Sequence, residues 1–138
     1  MTKVSDIIFC LNSTNVPGQG VSAHTILTAI TPEYIPGLFS FSLIITLLGL
    51  DISREHALKL SFSIDDEQVA SLESVIPVMP TDGDAHNSNL PKEYQGINIS
   101  IDWNNVNFKK SGEYVLCVII DGETVGEKKI FAKGRQES

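Results

Sequence analysis

Residues 108–131 constrain the fold of this chain more than any other stretch, because they read as a strand, a tight turn and a second strand in succession. The segment 115–120 is a short apolar run rich in β-branched side chains, which is typical of a buried strand and too short for a typical helix. Asp121-Gly122 follows at once and suits the positive φ values of a two-residue hairpin turn. The segment 124–132 then returns as the partner strand.

The start of this hairpin, Gly112-Glu113-Tyr114, resembles the tyrosine corner of immunoglobulin-like sandwiches, in which the phenol hydroxyl bonds to backbone upstream. In antibody-type domains a cysteine follows that tyrosine by two residues and lies on the same face. Here Cys117 follows Tyr114 by three residues, so the two side chains point to opposite faces of the strand. We therefore predict that Cys117 and Cys10 are not joined by a disulfide.

Alternation of apolar and polar residues predicts further strands upstream, most clearly at 57–64, where every second residue from Leu58 is apolar. The predicted strands cover residues 3–11, 22–30, 38–48, 57–64, 68–76, 97–103 and the two arms of the terminal hairpin, with 68–76 as a weak edge strand. Without a convincing helix, this pattern predicts an all-β fold, a two-layer antiparallel β-sandwich of about seven or eight strands. Immunoglobulin-like and C2-like topologies both remain open. We expect a single domain over residues 1–133 and a disordered tail over 134–138.

Composition restricts the partners of the chain. Of its 138 residues, 42% are hydrophobic and 20% charged, which is ordinary for one globular domain, and the net charge is −7. Binding to nucleic acid or to an anionic membrane needs clustered Lys and Arg, so we expect neither partner. The apolar stretch 38–52 alternates and is too short for a membrane helix. No signal peptide is recognisable, so we expect a soluble cytoplasmic protein with reduced thiols.

The order of these features resembles a family of small bacterial proteins that is catalogued only as a domain of unknown function. The resemblance rests on the strand at 7–11, Pro36-Gly37, the alternation at 58–64 and the hairpin with Gly112-Glu113-Tyr114 and Asp121-Gly122-Glu123. It implies a β-sandwich. It implies no activity and no catalytic residue.

Acidic residues recur in several predicted loops. If consecutive strands alternate in direction, the loops 12–20, 49–56, 77–95 and 121–123 lie at one end of the sandwich. Carboxylates on loops at one end are how C2-like domains hold calcium. The metal-ligand candidates are Asp82, Asp84, Asp121 and Glu123, with His56 and His86 expected at the same end of the sandwich. The alternative is a solubilising loop in which Asp residues form turns. The long loop 77–95 is either mobile or a binding element.

No motif in the sequence indicates a catalytic site. No Ser-His or Cys-His spacing and no Gly-x-Ser-x-Gly elbow is present, and both cysteines lie in apolar strands, so we predict no enzyme, no catalytic residue and no cofactor. We expect a non-catalytic domain that binds an unknown protein partner or assembles with itself. The alternative is a module that binds a small ligand or a divalent cation through the acidic loops. Candidate interface residues are Ile44, Leu48, Val115 and Ile119, apolar positions outside the main inward stripes.

Overall fold

A computed structural model describes residues 2–16, 20–51, 53–78, 91 and 94–135. Within these ranges the chain forms nine strands and no α-helix, and no helix is long and apolar enough to cross a membrane. The strands are β1 (Lys3–Val16), β2 (Gly20–Ile26), β3 (Ala29–Ile30), β4 (Gly37–Leu48), β5 (His56–Ile64), β6 (Glu67–Ile76), β7 (Gly96–Phe108), β8 (Gly112–Ile120) and β9 (Glu123–Ala132).

The strands form two packed sheets, which confirms the predicted sandwich. The four-stranded sheet has the order β2-β1-β4-β7, and the five-stranded sheet has the order β3-β9-β8-β5-β6. Every pair is antiparallel except the short parallel pair of β3 with β9. The weak strand predicted at 68–76 is β6, and it does lie at an edge.

The strand order is immunoglobulin-like rather than C2-like. Strands β1, β4 and β7 take the places of A, B and E in one sheet, while β5, β8 and β9 take those of C, F and G in the other. Tyr114 stands near the start of β8, the position of the tyrosine corner, and its hydroxyl donates to the Lys110 carbonyl over 2.7 Å. The predicted corner is therefore confirmed.

The core between the sheets is aromatic. The ring of Phe62 stacks on Tyr114 with centroids 5.3 Å apart, and Phe41 meets the edge of Trp103 at 5.8 Å. Leu116, two residues after Tyr114, is fully buried at the position where antibody domains carry a cysteine. Cys117 lies on the opposite face, and both cysteines are free, as predicted. A buried aliphatic side chain thus occupies the position of one cysteine of the antibody-type disulfide.

The terminal hairpin has the predicted turn. Asp121 and Gly122 have φ values of 51° and 84°, the pair of positive values that a two-residue turn of this kind requires. Strand predictions were less accurate at 22–30, which divides into β2 and β3. The division arises because Leu27 donates its N–H to the Phe9 carbonyl in one sheet, whereas Ala29-Ile30 pairs with β9 in the other. The structure accordingly has nine strands, one more than the predicted maximum.

The hairpin of β1 and β2 does not stay in the plane of its sheet. Strand β1 pairs with β4 as far as Cys10, and beyond that residue it pairs only with β2. The hydroxyl of Ser13 contacts that of Ser100 in β7, although β4 lies between β1 and β7. The hairpin therefore folds across the outer face of β4. Residues 12–16 and 20, predicted as parts of a loop, belong to β1 and β2, and the turn at 17–19 lies outside the described residues.

The C-terminal part of the sandwich continues beyond the predicted domain boundary at residue 133. Lys133 donates its N–H to the Ile30 carbonyl and Arg135 to the Pro32 carbonyl, at 3.0 and 2.9 Å. Gly134 between them is buried. The sandwich thus includes residues up to Arg135, and the remainder of the predicted tail lies outside the described residues.

Candidate functional site

One end of the sandwich brings polar side chains from two connections together. The β4–β5 connection supplies Asp51 and Arg54, β5 begins with His56, and the β8–β9 turn supplies Asp121. Backbone bonds fix the two segments, since the N–H of Asp121 donates to the Ala57 carbonyl over 2.9 Å. We call this group of four residues the His56 cluster.

His56 is the buried centre of the cluster, with only 2% of its side chain exposed. Its Nδ1 lies 2.7 Å from a carboxylate oxygen of Asp121, and its Nε2 lies 2.6 Å from the backbone carbonyl of Asp51. A carbonyl oxygen can only accept a hydrogen bond, so Nε2 is the donor there. Both ring nitrogens are thus engaged, and the ring bridges the two connections.

The carboxylate of Asp121 contacts three neighbouring groups of the protein. Its Oδ1 accepts the Ala57 N–H over 2.9 Å, and its Oδ2 lies 2.7 Å from His56 and 3.3 Å from Arg54. The bond from the Ala57 N–H, followed by the bond with His56, holds the pKa of Asp121 below its ordinary value. This carboxylate, predicted as a metal ligand, acts as an acceptor for three groups of the protein itself.

Asp51 is arranged in a similar way within its own loop. Its Oδ1 accepts both the hydroxyl and the backbone N–H of Ser53, and these bonds lower the pKa of Asp51. Arg54 lies between the two carboxylates, 3.9 Å from Asp51 and 3.3 Å from Asp121. An arginine cation therefore stands beside Asp121, one of the carboxylates that the sequence suggested for calcium.

An open cleft of about 360 Å³ lies beside the cluster. It is lined mainly by Thr2, Gly49, Asp51, Arg54, Asp121 and Glu123. Of the predicted metal ligands, Asp121 and Glu123 reach this cleft, whereas Asp82, Asp84 and the neighbouring His86 lie outside the described residues. Among the residues that are described, no three His, Cys, Asp or Glu side chains are grouped so that they could hold a metal ion.

The predicted interface residues differ in exposure. Ile44 points to the outer face of β4 but is only 6% exposed, because the β1–β2 hairpin lies across that face. Ile44 is therefore not available on the surface, contrary to the expectation. Leu48, Val115 and Ile119 are half-buried.

Val115, Cys117 and Ile119 form a continuous stripe on the outer face of β8, which we call the β8 stripe. Polar residues flank it on both sides: Ser63, Ser61 and Lys59 of β5 stand opposite its members on one side, and Lys129, Glu127 and Thr124 of β9 on the other. An apolar line with a polar border has the composition of a small interface core and rim.

The two thiols are poorly nucleophilic. Burial raises the pKa of both cysteines, and the Glu127 carboxylate beside Cys117 raises the pKa of that thiol further. Cys10 is completely buried under the hairpin and directs its thiol to the Ser42 carbonyl.

The sequence predictions missed the partnership of His56 with Asp121. The two residues stand 65 positions apart, and neither has a neighbour in sequence that marks it. The expected alternation of strand directions did place the loops 49–56 and 121–123 at the same end of the sandwich, and the structure brings these two segments together. The sequence predictions also missed Lys128, whose ammonium donates to the Ile7 carbonyl over 2.6 Å and closes the gap between β9 and β1.

Comparison with known proteins adds information on the fold. No family model matches the sequence, and no curated protein matches it. An immunoglobulin-like protein from Pseudomonas aeruginosa is 13% identical, with 96% of this chain and 97% of that chain covered and a TM-score of 0.48. A DNA-bound alkylpurine DNA glycosylase from Pseudomonas fluorescens is 10% identical, with a TM-score of 0.50; the match covers 96% of this chain and 30% of the glycosylase. At that identity the likeness to the glycosylase shows a shared fold alone.

Proposed function

We propose that this chain is a non-catalytic immunoglobulin-like domain that binds a protein partner through the β8 stripe. The observation that carries the proposal is the half-buried apolar line of Val115, Cys117 and Ile119 between two polar rows on the flat face of the five-stranded sheet. Removing apolar area from water favours association by about 25 cal/mol per Å² before the entropic cost of association is subtracted, whereas exposed charge pairs contribute little. A partner with an apolar strand or loop fits this face.

The hydrogen bonds of His56 and the raised pKa values of the two cysteines support a binding role over catalysis. A general base needs a free nitrogen or oxygen within reach of substrate, but His56 uses both ring nitrogens within the protein. A catalytic thiol needs a lowered pKa, whereas the pKa values of Cys10 and Cys117 are raised. The groups with the most reactive chemistry are thus engaged in holding the fold.

The test compares capture of proteins from the source cell by the wild type, by Ile119→Lys and by the control Val75→Lys. Val75 is an exposed apolar residue of the edge strand β6, where it pairs with Ala57 of β5. It lies on the outer face of the five-stranded sheet but is not part of the β8 stripe. We expect wild type and Val75→Lys to retain the same partner and Ile119→Lys to lose it while keeping a native spectrum. Equal capture by all three proteins would overturn the proposal.

A second candidate is binding of a small ligand or divalent cation at the His56 end, and the cleft of about 360 Å³ favours it. It ranks second because Arg54 already pairs with Asp51 and Asp121 there. A calcium-dependent rise in melting temperature that disappears in the double variant Asp121→Asn, Glu123→Gln would favour this candidate, because both residues line the cleft. The protein-binding proposal expects that double variant to capture the same partner as the wild type.

A further inference from the structure

We propose that two copies of this chain form a dimer by antiparallel pairing of their β7 edges about a two-fold axis at Ser100. The two four-stranded sheets then become one continuous sheet. This inference goes beyond the proposed function, because it concerns a different surface and names a second copy as the occupant. The dimer would leave the β8 stripe on the other sheet open.

Among the described residues, the sandwich has four sheet edges, and they differ in how they are protected. Strand β3 has only two residues, and β2 carries a left-handed residue, Thr25, with a φ of 59°. Strand β6 carries Glu67 and Glu73, and its pairing with β5 contains a bulge. Charges, short length and irregularity are the usual ways in which an edge avoids pairing with another chain.

Strand β7 has a left-handed residue, Asn105 with a φ of 57°, and its register with β4 shifts between Phe39 and Phe41. The segment of β7 that precedes this irregularity lacks most of the protection seen at the other edges. Strand β7 is 13 residues long and contains no Lys, Arg or Pro, and within the part of the chain that the structure describes it pairs with β4 alone. Its one charged residue is Asp102. The segment from Gly96 to Trp103 pairs with β4 without interruption, so it presents a regular edge. Two copies of a chain with a net charge of −7 repel each other. Because the β7 edge is nearly neutral, two copies can approach there with less repulsion.

The backbone of β7 has the correct orientation for such pairing. Gln95 accepts the N–H of Gly49 through its carbonyl, so its backbone faces β4. Backbone groups alternate in direction along a strand, and the register is regular from Gly96 to Trp103. Hence the N–H and C=O groups of Asn98, Ser100 and Asp102 point away from β4. The β1–β2 hairpin contacts Ser100 from the outer face, above the plane in which a new strand adds.

The side chains are complementary when Ser100 stands opposite its own copy. Asn98 then lies opposite Asp102 on both sides of the axis. The side-chain oxygen Oδ1 of Asn98 already accepts the Thr46 hydroxyl, which leaves the side-chain amide N–H groups of Asn98 to donate. Asp102 accepts the Ser42 hydroxyl with one oxygen, which leaves the other to accept. On the inner face the half-buried Ile99 and Ile101 meet each other.

This pattern favours a second copy over an unrelated strand. A two-fold axis brings the same patch of both subunits together, so an amide on one side of the axis must match an acid on the other. Asn98 and Asp102 are equally distant from Ser100 and meet that condition. A register with Asp102 opposite itself would place like charges in contact and is disfavoured.

The first test replaces Ser100 by Pro, with Ser71→Pro of β6 as the matched control. Both serines are exposed, and both backbones face away from the neighbouring strand, so neither proline breaks a backbone hydrogen bond within the sheet. Ser100→Pro also removes the hydroxyl contact with Ser13, and Ser100→Ala, which removes that contact and keeps the backbone N–H, should remain a dimer. Analytical ultracentrifugation should show a dimer for wild type and Ser71→Pro. We expect the dissociation constant of Ser100→Pro to rise by at least about tenfold. Equal weakening by both prolines, or a monomeric wild type at high concentration, would refute the dimer.

A charge exchange tests the register without a proline. Asn98→Asp places two carboxylates in contact at each end of the paired segment and should weaken the dimer about tenfold or more at low salt. Adding Asp102→Asn to the same chain restores an acid opposite an amide and should restore the dimer. Failure of the double variant to recover would contradict the Ser100 axis. Ile119→Lys should leave the dimer intact, so loss of partner capture and loss of the dimer are separate outcomes.

Discussion

Tyr114 joins the start of β8 to the turn that precedes it. Its ring is fully buried against Phe62 and Phe108, and its hydroxyl reaches the Lys110 carbonyl four residues upstream. The residue therefore combines a large apolar contact with one directed hydrogen bond, which two different substitutions can separate.

We predict that Tyr114→Phe lowers the free energy of unfolding by about 1 to 2 kcal/mol, because only the hydrogen bond is lost. Tyr114→Ala should cost about 3 to 5 kcal/mol, since it also leaves a cavity among the aromatic rings. Urea denaturation of the three proteins measures both values. Equal and negligible losses would show that neither contact supports the corner.

Asp121 makes the free energy of unfolding depend on pH in the acid range. Folding lowers the pKa of Asp121, so between its folded and unfolded pKa values the unfolded chain holds more protons than the folded one. Its contribution to stability is complete above the unfolded pKa of about 4 and declines as pH falls below it. Asp121→Asn keeps an acceptor for the Ala57 N–H but cannot titrate.

We therefore predict that wild type is more stable than Asp121→Asn at pH 6 and that this difference shrinks as pH is lowered below about 4. Urea denaturation at several pH values measures the difference. Asp66→Asn, in the exposed turn between β5 and β6, is the control, and its difference from wild type should not vary in this way. A constant difference for Asp121→Asn across the pH range would contradict the assigned contacts.

Residue-level prediction succeeded where the determinants are local. The partner of Tyr114 is four residues away and the Asp121-Gly122 turn is fixed by two residues, so a short window contains the necessary information. The bridge from His56 to Asp121 could not be read in this way. Alternating strand directions predicted that the loops of both residues lie at one end of the sandwich, but the contact between two side chains 65 positions apart depends on strand pairing, which the sequence does not supply.

At the level of strands, period-two alternation located every long element but not what covers it. The outer residues of β4 and β7 were assigned to the correct face, yet Ser42 and Ile44 are 3% and 6% exposed there. The physical cause is the β1–β2 hairpin, which leaves its sheet after Cys10 and crosses that face. Alternation reports which side of a strand a residue is on, and tertiary folding decides whether that side meets solvent.

The pairing of strands was the least predictable part of the fold. The β8–β9 hairpin is local, whereas β4 pairs with β7 and β3 with β9 across long stretches of chain. A sequence of alternating strands is compatible with several such orders, which is why immunoglobulin-like and C2-like topologies could not be separated beforehand. The parallel pair of two residues at β3 carries no alternation of its own.

Across the whole molecule, the two proposed contacts lie on different sheets. The β7 edge belongs to the four-stranded sheet and the β8 stripe to the outer face of the five-stranded one. A second copy on the edge and a partner on the stripe can therefore bind together. Cys117 lies in the middle of the β8 stripe, so its reactivity reports whether the stripe is covered. Cys10 is buried beneath the hairpin and serves as a reference thiol that neither contact should affect.

We predict that alkylation of the native protein modifies Cys117 slowly and Cys10 hardly at all, while the denatured, non-reduced chain exposes both free thiols. The slow rate follows from the raised pKa of Cys117, because the thiolate is the reactive form. If copies pair through β7, the rate at Cys117 does not change as protein concentration rises through the monomer–dimer transition. Mass spectrometry of alkylated peptides measures both sites. Protection of Cys117 with rising concentration would place the contact between copies on the β8 stripe instead.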